Sequence, residues 1–299
     1  MKVLVCDKTE KECIEQMRAA GLTVDTNFEI TPEELMTVLP AYDVAVVRSR
    51  TKIRQPLIDV CPNLKLIVRG GVGLDTIDVD YARSKGIEVR NTPLASSDSV
   101  AELAIGYMFM LARSLYKASA TMKAEKWDKK SFEGDEIGGK TLGLIGVGNI
   151  GKAVVRRALA LGMTVLAYDP YVKELPGVKL VSLDELLAQA DYISLHLPKT
   201  KESANMIGAE QFAKMKTGVR IINCARGGII NDEALLEALN SGKVAGAALD
   251  VYSEEPPTDW RLPKHENVIC SPHIGASTKE GQDRVGAEVA QIVIEFSKK

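Results

Sequence analysis

The sequence TLGLIGVGNIGKAVV, residues 141–155, determines the fold class of this chain. The residues Thr141–Ile145 form a short apolar run typical of a buried strand. The turn Gly146-Val147-Gly148-Asn149-Ile150-Gly151 follows it directly and opens a helical pattern over Lys152–Leu161. The first glycine permits a tight turn, the second lets the backbone approach a ligand, and the third lets the helix pack on the strand. The stretch therefore predicts a strand, turn and helix whose N-terminus faces an anion.

The residues that follow this strand, turn and helix indicate which anion binds at the helix N-terminus. The next apolar run, Val165–Tyr168, ends in Asp169, where a carboxylate would meet the ribose hydroxyls of a dinucleotide. A carboxylate accepts hydrogen bonds from the 2'-hydroxyl and repels a 2'-phosphate, so we expect NAD rather than NADP. A phosphate loop of a nucleoside triphosphatase is excluded, because it needs a magnesium-binding hydroxyl where this chain has Ala153.

Short apolar runs alternate with helical patterns along the chain, which indicates βαβ units and a mostly parallel sheet. Helix-capping sequences at Thr31–Glu34, Ser99–Glu102 and Ser277–Glu280 predict helix starts. Two of these helices are long, one from about Val100 into residues 123–126 and one from about Thr278 to Phe296. The expected strands lie at Val3–Cys6, Val44–Val47, Leu66–Val68, Leu142–Ile145, Val165–Tyr168, Ile193–Leu195 and Arg220–Ile222.

The chain length predicts two domains, because 299 residues exceed the size at which a single core usually stops growing. A strand and glycine signal restarts at Gly139-Lys140-Thr141, after the first long helix. We therefore expect an α/β protein with two Rossmann-like, doubly wound parallel-sheet domains. The cofactor domain, residues 96–276, would be inserted into a substrate domain made of residues 1–95 and 277–299.

Composition and charge argue against several classes of function. A net charge of -2 gives no general attraction for nucleic acids or membrane surfaces, and no run of eighteen apolar residues occurs. Three scattered histidines make a metal site unexpected. The five cysteines lack C-x-x-C spacing and the apolar start is too short for a signal peptide, so we expect a cytoplasmic protein.

Three later segments, residues 222–228, 250–256 and 271–276, carry reactive side chains near the ends of strands. Together with Arg69-Gly70-Gly71-Val72-Gly73-Leu74-Asp75 and Asn91-Thr92-Pro93, they resemble the D-isomer-specific 2-hydroxyacid dehydrogenases over nearly the whole chain. Within that family the sequence is most similar to members that act on D-3-phosphoglycerate.

This resemblance implies that Arg226, Glu255 and His273 are catalytic. The planar guanidinium of Arg226 suits bidentate binding of a substrate carboxylate. His273 would take the proton of a C2 hydroxyl, a task for which histidine is the usual residue type in enzymes. Glu255 would bond the other imidazole nitrogen, fix the tautomer and favour the protonated ring.

The resemblance also assigns binding residues. The turn Gly70-Gly71 can present backbone N–H groups to an anion, and Arg50 and Lys52 near it are either further anion ligands or solvated loop charges. Val72 replaces a threonine frequent in the family, so a cofactor contact is not carried over there. Cys224 is read as a small strand-end residue rather than a nucleophile. Expected cofactor neighbours are Gly146, Gly148, Asn149, Ile150, Gly151, Asp169, His196, Pro198, Cys224, Ala225, Asp250, Gly275 and Ala276, and expected substrate ligands are Arg48, Ser49, Arg69, Gly70, Gly71, Arg226 and His273.

We expect NAD-dependent oxidation of D-3-phosphoglycerate to 3-phosphohydroxypyruvate, the first step of phosphorylated serine biosynthesis. Alternatives are a hydroxypyruvate or glyoxylate reductase, a D-lactate dehydrogenase and, from another class, an NAD(H)-sensing protein like the corepressors of this fold. The broad apolar stripe of the helix after Ala101 predicts a homodimer. Because the sequence stops at Lys299, we also expect a form without the regulatory module that some family members carry.

Overall fold

The computed structural model describes all 299 residues. None of its helices combines the length and apolar character needed to cross a membrane. The strands are β1 (Lys2–Val5), β2 (Thr23–Thr26), β3 (Val44–Val47), β4 (Leu66–Arg69), β5 (Glu88–Asn91), β6 (Thr141–Ile145), β7 (Thr164–Tyr168), β8 (Lys179–Leu180), β9 (Tyr192–Leu195), β10 (Val219–Asn223), β11 (Val244–Leu249) and β12 (Val268–Cys270). The helices are α1 (Lys11–Ala19), α2 (Pro32–Val38), α3 (Gln55–Asp59), α4 (Val79–Ser84), α5 (Ser97–Ala112), α6 (Leu115–Lys123), α7 (Asn149–Ala160), α8 (Leu183–Gln189), α9 (Ala209–Lys214), α10 (Asp232–Asn240), α11 (Arg261–Lys264) and α12 (Lys279–Ser297).

The chain forms two compact units. The first unit joins Met1–Ser97 to Ala276–Lys299 and contains a parallel sheet in the order β2-β1-β3-β4-β5. Successive residues of β1 point to opposite faces, so Val3 and Val5 pack into one buried cluster and Leu4 into another. A sheet with a core on both faces is the arrangement that parallel strands require.

The second unit, Asp98–Gly275, contains a seven-stranded parallel sheet in the order β12-β11-β10-β9-β6-β7-β8. Leu142 and Leu144 of β6 pack on one face, and Ile145 packs on the other. The chain runs from β6 outward to β8 and then returns to β9 on the other side of β6. Ligands of such sheets bind at this switch point, beyond the carboxyl ends of the strands. Both sheets confirm the predicted α/β, doubly wound fold class.

The prediction of one long helix from about Val100 to residues 123–126 is wrong in the length of the helix and in its first residue. The structure has two helices, α5 from Ser97 and α6, which are separated at Ser114 with a φ of +47°. Tertiary contact ends α5, because the Asp135 N–H donates to the carbonyl oxygen of Ala112. Several neighbouring serines can each cap a helix, so composition alone does not fix its first residue.

The other two capping predictions have different outcomes. At Thr31 the capping box is confirmed, since the Thr31 hydroxyl accepts from the Glu34 N–H and Glu34 accepts from the Thr31 N–H. At the last helix the cap is one residue later than predicted. The side chain of Thr278 accepts from the Gly281 N–H at 3.0 Å, and α12 begins at Lys279.

Candidate active site

The glycine turn after β6 has the tight geometry that its sequence predicts. Gly146 has a φ of +92°, and a Cβ there would lie 2.4 Å from the carbonyl oxygen of His196. A Cβ at Gly151 would lie 2.4 Å from the Gly146 carbonyl oxygen, so only glycine lets α7 start so close to β6. A Cβ at Gly148 would meet nothing within 4 Å, which leaves open space in front of the α7 N-terminus. That space is where a pyrophosphate fits.

Asp169 follows β7 and holds this turn. Its Oδ2 accepts the Val147 N–H at 2.9 Å, and its Oδ1 accepts from Tyr171 at 2.9 Å and Val172 at 3.2 Å. A carboxylate offers about four acceptor positions, so one remains for a ribose hydroxyl. Asp169 thus shapes the turn in addition to the recognition role predicted for it.

A cavity of about 340 Å³ lies beside the turn. It is concave and largely apolar, with a carboxylate at one edge, as expected for the adenosine half of a dinucleotide. The residues present therefore fit NAD. The cavity is lined by Ile145, Gly146, Gly148, Tyr168, Asp169, Pro170, Tyr171, His196, Leu197, Pro198, Thr200, Glu202, Ser203 and Met206.

His196 is a buried neutral histidine. Its Nε2 lies 2.8 Å from the Ser194 hydroxyl, and its Nδ1 has no partner within the protein. Burial lowers the pKa of His196 to about 3, so the ring carries no charge at neutral pH. This histidine borders the cavity but is not suited to acid–base chemistry.

Arg226 stands in the loop after β10. The side chain of Asn223, which is 2 % exposed, accepts from the Ala225 N–H at 3.0 Å and donates to the Arg226 carbonyl oxygen at 2.9 Å. A Cβ at Gly227 would lie 1.8 Å from the Tyr252 carbonyl oxygen. The loop carrying Arg226 therefore packs directly on the loop that leads to Glu255. Cys224, in the same segment, is buried, and burial raises the pKa of its thiol.

Glu255 and His273 form a close pair. His273 Nδ1 lies 2.6 Å from Glu255 Oε2, and the other carboxylate oxygen accepts the Tyr252 N–H at 3.1 Å. Partial burial alone would raise the pKa of Glu255, but the hydrogen bond and charge of His273, the Tyr252 N–H and the charge of Arg226 hold it below its ordinary value. The carboxylate stays ionised and keeps one imidazole nitrogen occupied, so Nε2 is the nitrogen left for a proton transfer.

Asp250, predicted as a cofactor neighbour, is 1 % exposed and holds the turn that contains His273. Its two oxygens accept the N–H groups of Ile274 at 2.8 Å and Gly275 at 2.7 Å. The Ser271 hydroxyl also bonds to Asp250, and Tyr107 bonds to Ser271. Sequence reasoning gave no role to Tyr107 or to Ser271, although Ser271 begins the segment 271–276, because nothing in the sequence links the two residues.

The first unit gathers the predicted anion ligands near β3 and β4. Arg48 is half-buried, donates to the Lys8 carbonyl oxygen at 3.4 Å and forms no salt bridge, and burial lowers its pKa. Ser49 beside it is exposed. The guanidinium of Arg69 folds over Gly71, where a Cβ would lie 2.2 Å from it.

Two other basic residues, for which the sequence left open an anion ligand or a solvated loop charge, differ from Arg48. Arg50 is engaged inside the unit, where it bonds to the Asp7 carboxylate and to the carbonyl oxygens of Cys6 and Ile30. Lys52 is exposed and forms no salt bridge. Arg48 therefore lacks the direct carboxylate contact that Arg50 has, although the charges of Asp7 and Glu10 act on it.

Comparison with known proteins identifies the family. The model of the D-isomer specific 2-hydroxyacid dehydrogenase NAD binding domain matches residues 105–275. The chain belongs to the D-isomer specific 2-hydroxyacid dehydrogenase family. The predicted family and its NAD cofactor are confirmed by this match.

Two curated relatives differ in length. The chain is 47 % identical to D-3-phosphoglycerate dehydrogenase of Archaeoglobus fulgidus, over 100 % of this chain and 58 % of that protein. It is 49 % identical to hydroxypyruvate reductase of Thermotoga maritima, over 97 % of this chain and 96 % of that protein. The chain thus spans little more than half of the first relative and nearly all of the second.

Solved structures of family members have the same fold. A glyoxylate reductase from Paecilomyes thermophila superposes with a TM-score of 0.90 at 33 % identity, covering 98 % of this chain and 94 % of that one. D-lactate dehydrogenase from Aquifex aeolicus, complexed with NAD and lactic acid, gives a TM-score of 0.88 at 32 % identity, covering 100 % and 96 %. The architecture is therefore shared by enzymes named for glyoxylate and for D-lactate.

Proposed function

We propose that this protein is an NAD-dependent dehydrogenase that oxidises D-3-phosphoglycerate to 3-phosphohydroxypyruvate, the first step of phosphorylated serine biosynthesis. The observation that carries the proposal is the Glu255–His273 contact at 2.6 Å, where the loop that leads to Glu255 packs against the loop that bears Arg226. The arrangement supplies an oriented base and a carboxylate-binding cation in a family of hydride-transfer enzymes.

In this proposal His273 takes the proton of the C2 hydroxyl through Nε2, while Glu255 holds Nδ1 and stabilises the positive charge that forms on the ring. Arg226 binds the substrate carboxylate through its planar guanidinium. NAD, when bound, supplies the acceptor for the hydride that leaves C2. In the reverse direction the protonated His273 returns its proton to the C2 oxygen.

The phosphate requires a further cation, and Arg48 is our candidate. It is half-buried and forms no salt bridge, so its charge is available to an anion. Ser49, Arg69 and the N–H groups of the Gly70-Gly71 turn are proposed as further ligands. The relatives named D-3-phosphoglycerate dehydrogenase, at 42–48 % identity, support this choice of substrate.

The second candidate function is reduction of hydroxypyruvate. It is favoured by the relative named hydroxypyruvate reductase, which this chain matches over 96 % of that protein's length. The same catalytic trio serves both substrates, and the phosphate-binding cation separates them.

The test is NADH oxidation by the purified protein with 3-phosphohydroxypyruvate, hydroxypyruvate, glyoxylate and pyruvate. We expect the highest kcat/KM with the phosphorylated acid, and a loss of that preference in Arg48→Gln. Equal loss on all four acids would remove Arg48 from phosphate recognition, and preference for hydroxypyruvate would establish the second candidate. Bound NADH without any turnover would instead favour an NAD(H)-sensing protein.

We also propose a homodimer in the cytoplasm. Large apolar side chains are exposed on and after α5 and α6, namely Phe109, Leu115, Met122 and Trp127, the last at 81 %. Light scattering should give twice the chain mass, and a monomer mass at all concentrations would refute the dimer. All five cysteines are free, as is usual in a reducing compartment.

A further inference from the structure

His273 stands in a turn with an unusual backbone conformation. Its φ of +53° lies in the left-handed region, which is unfavourable for a residue with a Cβ. Such a conformation persists only where the surrounding groups hold it. The groups that hold this turn therefore determine where the imidazole points.

The buried Asp250 carboxylate grips the turn on both sides of His273. On the C-terminal side it accepts the N–H groups of Ile274 and Gly275. On the N-terminal side it bonds to the hydroxyl of Ser271. Three donors from residues 271–275 thus converge on one carboxylate, so a shift of Asp250 moves the whole turn.

Ser271 is itself held by Tyr107 of α5, which is 3 % exposed. An ionised carboxylate only accepts hydrogen bonds, so the single proton of the Ser271 hydroxyl goes to Asp250. Tyr107 must then donate its own proton to Ser271. Burial raises the pKa of Tyr107, so the phenol keeps this proton at neutral pH. The hydrogen bonds run in one direction, from Tyr107 through Ser271 to Asp250.

We propose that Tyr107 is a positioning residue for His273 that acts through Ser271 and Asp250. The inference rests on the acid–base role proposed above for His273. Hydrogen bonds in a chain polarise one another, so the donor at Ser271 binds Asp250 more strongly while Tyr107 binds Ser271. Without the phenol hydroxyl, the partly buried Ser271 oxygen loses its donor within the protein and the turn gains freedom. Tyr252 also holds Ser271, but at the carbonyl oxygen, 2.9 Å away, and does not replace this bond.

Four variants test the chain of hydrogen bonds. Tyr107→Phe removes the first donor, Ser271→Ala removes the middle member, and Ser271→Thr restores a hydroxyl. Tyr116→Phe is the matched control, because its hydroxyl bonds at 3.1 Å to the Glu266 carbonyl oxygen, away from this turn. Each variant is measured for kcat and KM with NADH and the preferred keto acid, for NADH affinity by fluorescence, and for thermal stability.

We expect Tyr107→Phe to lower kcat about tenfold, because displacement of a catalytic group by a fraction of an ångström costs that much. KM and the NADH dissociation constant should stay within about twofold, since in this proposal Tyr107 acts on the position of His273 and not on binding of substrate or NADH. Ser271→Ala should lower kcat at least as much, and Ser271→Thr and Tyr116→Phe should stay close to the wild type.

The double variant Tyr107→Phe, Ser271→Ala is decisive, because residues that act through one chain are not additive. It should be no slower than Ser271→Ala alone. Multiplied losses, or a kcat loss in Tyr107→Phe that merely follows its thermal stability, would overturn the positioning role. His273→Gln separates this inference from the proposed function. If His273→Gln retains turnover, the acid–base role fails; if it is inactive while Tyr107→Phe is unaffected, only the role of Tyr107 fails.

Discussion

Gly227 should be the residue least tolerant of a single methyl group near the candidate active site. The substitution Gly227→Ala would place a Cβ 1.8 Å from the Tyr252 carbonyl oxygen, 1.9 Å from its carbon and 2.5 Å from the Ser253 nitrogen. All three are backbone atoms, so no side-chain rotation relieves the clash. Because real Cβ atoms keep at least 3.0 Å from other atoms, the two loops must separate by about 1.2 Å.

The separation falls between the proposed catalytic groups. Arg226 precedes Gly227 directly, and the Tyr252 N–H donates to the Glu255 carboxylate that holds His273. A misplacement of about 1 Å costs on the order of 100-fold in rate. We therefore expect kcat/KM to fall about 100-fold in Gly227→Ala. Overpacking of this kind should also cost about 1–3 kcal/mol of unfolding free energy.

The assay compares kcat/KM, NADH affinity and urea unfolding with a matched control. Gly138→Ala makes the same change where the new Cβ would lie 3.5 Å from the Leu161 carbonyl oxygen, an ordinary contact. NADH affinity in Gly227→Ala should fall less than kcat/KM, because the glycine turn at residues 146–151 is not displaced and only the expected cofactor neighbours Cys224 and Ala225 lie in the loop that moves. If Gly227→Ala folds and keeps wild-type kcat/KM, the contact between the two loops does not set the catalytic geometry.

Three further predictions concern single charged or titratable groups. Asp169→Asn should lower the ratio of NADPH to NADH dissociation constants at least about tenfold, because the repulsion of a 2'-phosphate is lost; an unchanged ratio in fluorescence titrations would contradict this. Burial lowers the pKa of His196 from 6.5 to about 3, so below pH 6.5 the unfolded chain binds a proton that the folded protein does not. The contribution of neutral His196 to the free energy of unfolding is present above pH 6.5 and is lost on acidification. In urea unfolding, the free energy of unfolding of the wild type should fall between pH 7 and pH 5 by about 2 kcal/mol more than that of His196→Gln. Parallel pH dependences would refute that assignment. The pKa of Glu255 is lowered below 4.5, so its contribution to the free energy of unfolding is present above that pH and is lost as the pH falls. Wild type and Glu255→Gln should therefore converge in stability in acid. At neutral pH, kcat should fall about 100-fold or more in Glu255→Gln.

The sequence predicts the strands that are rich in large apolar residues and misses those that are not. Each of the seven predicted runs is a strand in the structure. Five strands are missed, and four of them, β2, β5, β8 and β12, lie at sheet edges. Each has at most three consecutive apolar residues and contains exposed or half-exposed positions, so none stands out as an apolar run. The missed β11 is central and buried, but its sequence Val-Ala-Gly-Ala-Ala-Leu has low β-propensity. Its place is set by its neighbours β10 and β12 and not by its own residues.

The hydrogen bonds of the candidate site show a second limit of sequence reasoning. A motif identifies Glu255 and His273 as partners because both residue types have a known chemistry at those positions. The bond between Tyr107 and Ser271 joins residues 164 positions apart, and neither has a local pattern that indicates the other. They come together only because α5 packs at the end of β12, so this hydrogen bond can be predicted only from the three-dimensional fold.

Arg48 and Arg50 show why the same side chain two residues apart has different uses. The sequence predicts Arg48 as an anion ligand and leaves Arg50 open between an anion ligand and a solvated loop charge. The guanidinium of Arg50 donates to the buried Asp7 carboxylate, at 3.1 Å, and to two carbonyl oxygens. Binding of a substrate anion by Arg50 would therefore break hydrogen bonds within the first unit. Arg48 gives only its backbone N–H to Asp7, at 2.5 Å, and its half-buried guanidinium forms no salt bridge, although the charges of Asp7 and Glu10 act on it. Because a partly desolvated charge gains most from an incoming anion, a phosphate bound in this unit should be bound by Arg48, and Arg50→Gln should impair folding rather than substrate preference.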